Sequence, residues 1–130
     1  MTQIRISQAG QLLGVSYDTV RRWIDLGQLT AQPDDSGRQV IDGVDLARFA
    51  QDRANSERPH GTSARNVFTG LVTRVVSDVV MSSVELQCGP YRVMALVSTE
   101  AVRDLGLEPG VIATARIKAT NVVIDAGGQA

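Results

Sequence analysis

Apolar and polar positions along this 130-residue chain change their period near its middle. In the first half they recur at three- and four-residue spacing. Ala9, Leu12 and Leu13 form one such face, Val20, Trp23 and Ile24 a second, Leu46 and Phe49 a third. That spacing predicts amphipathic helices. Ser7 is placed to cap the first helix and Gly14 to break it. Val15 follows as an apolar turn residue, and Ser16 caps a second helix that runs to about residue 26. Tyr17, Asp18, Thr19, Arg21 and Arg22 then point away from the inward face, on which Trp23 reads as core. Gly27 stops the helix. Residues 29–33 and 38–41 read as two short strands around Asp34-Asp35-Ser36-Gly37, a turn built from residues that tolerate left-handed backbone. Asp42 or Gly43 opens a last helix through Leu46 and Phe49.

The second half alternates instead. Residues 68–78 are rich in Val and Thr, and Val84-Glu85-Leu86-Gln87-Cys88 places one face in and one out. Gly89-Pro90 turns the chain, and Tyr91, Val93, Ala95 and Val97 resume the alternation. Ser98 or Thr99 caps a short helix over 100–105 that Gly106 closes. After the Glu108-Pro109-Gly110 turn come strands over 111–117 and 121–125. Strands, one short helix and more strands describe an OB-like five-stranded β-barrel. The expected fold class is therefore α+β, an N-terminal helical domain with a two-stranded wing followed by that barrel.

Between the halves, residues 51–62 (QDRANSERPHGT) hold Pro59 and Gly61 and lack large apolar side chains, the texture of a linker. The expected organisation is a domain over 1–52, a linker over 53–61, a domain over 62–126 and a frayed tail over 127–130. Each half is about sixty residues, a size at which oligomerisation helps stability. No apolar run is long enough to span a membrane and no leader is visible, so the expected compartment is the cytoplasm. Cys88 is the only cysteine and reads as a small core residue.

The order Ser-Gln-Ala-x-Leu-Leu-Gly-Val-Ser-x-Asp-Thr-Val-Arg-Arg-Trp-Ile, then Gly-x-Leu, Ser-Gly-Arg and Ile-Asp-Gly, covers about residues 4–50. It resembles the MerR and excisionase type of winged helix-turn-helix. The resemblance implies a double-stranded DNA operator as partner, with the second helix in the major groove and the wing on the adjacent backbone. By position Ser16, Tyr17, Arg21 and Arg22 become helix contacts and Arg38 the wing contact. MerR regulators pair their half-sites through a long coiled coil, and no heptad run occurs here. Charge alone does not argue for DNA: residues 1–55 carry six arginines against seven aspartates, a net −1. Phosphate neutralisation supplies non-specific affinity, so placement of the arginines has to carry the case.

Two short motifs flank the barrel pattern, Ser63-Ala64-Arg65-Asn66 and Lys118-Ala119-Thr120-Asn121-Val122. They offer two cations, two hydroxyls and backbone N–H groups among small side chains, an inventory suited to holding an oxyanion. A small barrel would bring the motifs together, and so would the meeting of two chains. Lys118 is the only lysine in the chain, so a compact ammonium stands where arginine is used everywhere else. Residues 62–124 resemble a Mop domain, the molbindin relative of TOBE domains. The resemblance implies molybdate or tungstate as ligand, held where subunits meet by Ser63, Arg65 and Asn66 on one side and Lys118, Ala119 and Thr120 on the other. Thr120 stands where serine is usual. A homo-oligomer follows from the same resemblance, as a dimer or a trimer of dimers.

No enzyme is visible in the sequence. His60, the sole histidine, lies in the linker, and the carboxylates show no paired spacing, so neither a nucleophile nor a cationic metal site can be assembled. The expected function is a molybdate- or tungstate-responsive DNA-binding transcription regulator. The alternatives are a molybdate storage or scavenging protein with a DNA-tethering domain, and an architectural DNA binder without ligand.

Overall fold

The computed structural model describes residues 2–54 and 60–127. Part of the expected linker, residues 55–59, and the end of the expected tail, residues 128–130, lie outside the described residues. The chain divides into two compact units, Met1–Arg58 and Pro59–Ala130.

The first unit opens with a strand that the hydrophobic pattern did not reveal, β1 (Gln3–Arg5), and passes directly into α1 (Ile6–Leu13). Ser7 is therefore not the cap. The N-cap position is Arg5, with no side-chain cap bond, because the strand delivers Ile6 straight into the core as the first helical residue. The inward face of α1 is Ile6, Ala9 and Gly10, and Leu12 is 57% exposed. At Gly14 the backbone turns left-handed (φ 70°). Gly10 lies under that turn: its carbonyl accepts from the Val15 N–H at 2.9 Å, and a Cβ on it would stand 2.8 Å from the Val15 carbonyl oxygen. Any larger residue there pushes the turn off the helix.

Helix α2 (Tyr17–Asp25) has the cap the sequence indicates, the Ser16 hydroxyl accepting from the Thr19 N–H at 3.1 Å. Of the expected strand over 29–33 only β2 (Gln32–Pro33) pairs, and Leu29 is spent on the core instead. β3 (Gln39–Asp42) is central, with β1 antiparallel on one side (Ile4 opposite Ile41) and β2 on the other (Gln32 opposite Val40). α3 (Gly43–Ala54) follows. Ile6, Ala9, Val20, Trp23, Leu29, Ile41 and Leu46 form the core. The Trp23 ring meets Phe49 with centroids 4.8 Å apart, and the Arg53 guanidinium lies 4.6 Å from the Trp23 ring centroid.

The second unit is one antiparallel sheet in the order β6-β5-β4-β7, from β4 (Asn66–Ser77), β5 (Met81–Cys88), β6 (Tyr91–Ser98) and β7 (Ile112–Ile117). A register shift between Val72 and Arg74 bends β4, which pairs with β7 along its first half and with β5 along its second. Gly70 is required at the crossing, since a Cβ there would come within 2.6 Å of the Cys88 sulfur. α4 (Thr99–Leu105) is capped by the Ser98 hydroxyl and closed by Gly106 in left-handed backbone (φ 66°), as its sequence indicates. Its Val102 joins Val72, Val84, Leu86 and Cys88 in the core.

The expected five-stranded barrel is not closed: this sheet has four strands among the described residues. After β7 the chain makes a 3₁₀ turn (Ala119–Asn121) and leaves the sheet, so residues 122–125 pair with no strand, and Val123 and Ile124 are 83% and 85% exposed. The outer edges of β6 and β7 stay unpaired, and a trough of about 540 Å³ lies between them, lined among others by Val93, Val97, Leu107, Ala113 and Ile117.

Candidate functional site

The two motifs flanking the barrel pattern meet within a single chain. The β4–β7 ladder begins with Asn66 opposite Ile117, so the segment entering β4 and the segment leaving β7 lie side by side at one end of the sheet. The Asn66 side-chain amide donates to the Ile117 carbonyl at 3.1 Å. One of its two N–H donors is thereby committed to joining the strands, so Asn66 acts here first as a clasp. Ala64 is buried, and its N–H donates to the Thr62 hydroxyl at 3.1 Å, which fixes the turn before the strand. Arg65 is exposed and donates through Nη1 to the Thr62 carbonyl at 3.0 Å. A guanidinium carries five N–H donors, so most of them remain available for a ligand.

On the other side, Lys118 leaves β7 exposed and starts the 3₁₀ turn, its carbonyl accepting from the Asn121 N–H at 2.9 Å. Ala119 and Thr120 are exposed as well. No hydrogen bond or ion pair engages the side chains of Ser63, Lys118 or Thr120 among the described residues. Two cations, two hydroxyls and turn amides thus gather at one sheet end with their donors mostly uncommitted. Charge-assisted hydrogen bonds from donors of these types to an anion are worth about 1.5–3 kcal/mol each.

In the first unit α2 presents Tyr17, Arg21 and Arg22 to solvent, opposite the buried Val20 and Trp23. Ser16 is occupied by capping: its hydroxyl accepts from the Thr19 N–H and shares a 2.9 Å bond with the Thr19 hydroxyl. Arg38 stands exposed where the β2–β3 loop re-enters the sheet. Asp34, expected only as a turn residue, organises that loop as a hydrogen-bond acceptor. The Asp34 Oδ1 accepts from the Ser36 N–H (2.9 Å), the Ser36 hydroxyl (2.8 Å) and the Arg38 N–H (2.9 Å). The Asp34 N–H in turn donates to the Arg38 carbonyl at 2.8 Å. The bond from the Arg38 amide, and then that from the Ser36 hydroxyl, hold the Asp34 carboxyl below its ordinary pKa. The signal was present in the sequence as Asp-x-Ser-Gly, whose aspartate favours an Asx turn.

No cluster of three or more His, Cys, Asp or Glu capable of holding a metal ion occurs among the described residues. Cys88 is buried and unpaired with another cysteine. No described helix is long and apolar enough to cross a membrane.

Comparison with known proteins places the second unit. The TOBE domain family model matches residues 62–124. Molybdenum-pterin-binding protein 3 of Clostridium pasteurianum is 38% identical over 63 residues, which are 48% of this chain and 93% of that protein. Among solved structures, MopII from Clostridium pasteurianum in its apo2 form is 34% identical and is covered over its whole length by 51% of this chain, with a TM-score of 0.48. The molybdate binding protein from Sporomusa ovata is 30% identical over 48% of this chain and 94% of its own, with a TM-score of 0.47. The cytoplasmic molybdate-binding protein ModG, in a crystal form with molybdate bound, is 40% identical over 49% of this chain and 46% of its own, with a TM-score of 0.48.

Proposed function

The chain belongs to the TOBE domain family through residues 62–124, and we propose that it is a molybdate- or tungstate-responsive regulator that binds double-stranded DNA through its first unit. The observation that carries the anion half of this reading is the pairing of Asn66 with Ile117. It brings the segment that carries Ser63 and Arg65 alongside the segment that carries Lys118, Ala119 and Thr120, which supports the reading. The likeness to a molybdenum-pterin-binding protein, covered over 93% of its length, supports the choice of ligand. The donors hold the anion as an anion, with no cationic metal and no bond made or broken. Titration of the full chain with molybdate by calorimetry is the test, and a chain that takes up no molybdate removes this half.

A homo-oligomer assembled through the second unit is part of the proposal. Support comes from the two unpaired sheet edges and from exposed apolar side chains, including Met94, Leu96, Ile112, Val123 and Ile124. A second copy would also supply the pairing of half-sites for which the sequence offers no coiled coil. Dimer and trimer of dimers both meet that need.

The DNA half rests on the helix, tight turn and helix under Gly10, with Tyr17, Arg21 and Arg22 on the exposed face of α2 and Arg38 on the loop that serves as a wing. Anion binding regulates DNA binding to the extent that the anion prefers one arrangement of the oligomer over another. Mobility shift on genomic fragments, with and without molybdate, tests this half. A second reading, molybdate storage or scavenging, is favoured by one observation: a molybdenum-pterin-binding protein is covered over 93% of its length by 48% of this chain. Molybdate uptake without any mobility shift would select it.

A further inference from the structure

The β2–β3 loop carries more organisation than a surface turn needs. Four of its hydrogen bonds converge on Asp34: three donors reach one carboxylate oxygen, and the Gly37 N–H donates to the Asp34 carbonyl at 3.0 Å. Gly37 completes the turn in left-handed backbone at φ 84°, with open space around it. The last bonded amide is that of Arg38, whose backbone is therefore fixed while its side chain stands in solvent. Asp34 and the adjacent Asp35 place negative charge beside the cation proposed to face DNA, where phosphates repel it. Among the described residues Asp34 makes no ion pair that would neutralise it.

We infer that Asp34 is a positioning residue for DNA binding: it locks the loop so that Arg38 meets a phosphate of the duplex at a fixed place beside α2. The inference rests on the DNA reading above and deepens it. Asp34 touches no DNA itself; it acts through Arg38. The hydrogen bonds that organise the loop are made to the ionised carboxylate, in keeping with the lowered pKa of the group. Positioning and charge have opposite signs here, which makes the role measurable. If Asp34 mattered only as a negative charge, any neutral replacement would tighten DNA binding. If it positions Arg38, only a replacement that keeps an acceptor oxygen at the same place is tolerated.

The test uses the full chain and a fluorescein-labelled duplex of mixed sequence, titrated by anisotropy over a series of salt concentrations, with thermal melting of each variant alongside. Asp34→Ala is expected to bind roughly 3–10-fold more weakly, with the salt dependence reduced by about 0.9 in log–log slope, the share of one phosphate contact. Arg38→Ala is expected to show the same two changes, and the double variant no more than either single one. Asp34→Asn, which keeps the acceptor and loses the charge, is expected to bind at least as tightly as the native chain. Gly37→Ala keeps both charges but strains the left-handed turn, and it is expected to repeat the loss of slope even if Asp34→Ala folds poorly. Asp34→Ala binding as tightly as the native chain, or Gly37→Ala with an unchanged slope, overturns the inference. An Arg38→Ala variant with native slope, beside an Arg21→Ala variant with reduced slope, overturns it while leaving the DNA reading intact. A native chain that binds no duplex at low salt removes both.

Discussion

Asn66 and Ile117, fifty-one positions apart in sequence, form the first rung of the β4–β7 ladder, and the Asn66 side chain closes that rung onto the Ile117 carbonyl. Everything proposed for the anion site hangs from this rung, because it sets the distance between the segment carrying Arg65 and the segment carrying Lys118. Replacing Asn66 by Ala removes the clasp and leaves the strand ends tied only by backbone bonds. We expect a loss of stability of about 1 kcal/mol, together with a weaker molybdate isotherm. Melting and calorimetry on the same preparation test this. Native molybdate affinity in Asn66→Ala would show that the strand ends hold their spacing unaided.

Lys118→Ala and Arg65→Ala are expected to lower molybdate affinity by about one to two decades each, the worth of one charge-assisted contact. Melting temperature and oligomeric state should not move, since both side chains are exposed and Lys118 has no partner among the described residues. Calorimetry with size-exclusion chromatography separates the two effects.

On the first unit, Arg21→Ala or Arg22→Ala is expected to weaken operator binding by about 1–3 kcal/mol if the arginine reads a base, and mainly to flatten the salt dependence if it meets a phosphate. The molybdate isotherm of either variant should match that of the native chain. A mobility-shift titration unchanged in both would remove α2 from the groove.

Sulfate should compete poorly with molybdate. Both are tetrahedral dianions, so charge does not separate them. A smaller anion among donors fixed on strand ends leaves some hydrogen bonds stretched, and a stretched charge-assisted bond loses much of its roughly 1.5–3 kcal/mol. Competition calorimetry in excess sulfate measures this, and comparable competition would mark the cluster as a general anion patch.

The turn from β4 to β5 has an acid-sensitive anchor. The Asp78 Oδ1 accepts from the Met81 and Val80 N–H groups at 2.7 Å each, and these bonds, the Met81 one first, lower the Asp78 pKa. A group whose folded pKa is lowered contributes stability that is complete above its unfolded value, near 3.8, and is lost as pH falls through the folded one. Asp78→Asn should therefore lower the melting temperature in the neutral range and converge with the native chain as pH falls, which flattens the acid side of the profile.

Local signals were legible in the sequence wherever one residue and its near neighbours decide the outcome. Ser16 and Ser98 cap the helices assigned to them, and Gly14 and Gly106 end theirs in left-handed backbone. Pairing was not legible. β1 is three residues long, too short to show a period, and exists because Ile4 lies opposite Ile41. Leu12 fits a helical face by spacing, yet the core takes Ile6, Ala9 and Gly10 instead, because the turn packs onto Gly10. Residues 121–125 have strand composition, but a strand needs an edge to join, and the 3₁₀ turn carries them away from the edge of β7. The residues proposed for the anion were readable as an inventory of donors. Whether one chain or two would bring their segments together was not, since spacing along the chain says nothing of which strands are neighbours.

The solitary lysine turns the proposed anion site into a reporter of its own occupancy. Apart from the α-amino group, Lys118 is the only primary amine that an acylating reagent can find, and it stands exposed with no competing partner among the described residues. Its labelling rate, followed by mass spectrometry of the intact chain, therefore reads one ammonium without any engineered probe. A bound oxyanion that hydrogen-bonds this ammonium slows the reaction in proportion to the fraction of sites filled. The same reaction carried to completion removes the positive charge from every molecule at once, a chemical counterpart of Lys118→Ala made on folded protein.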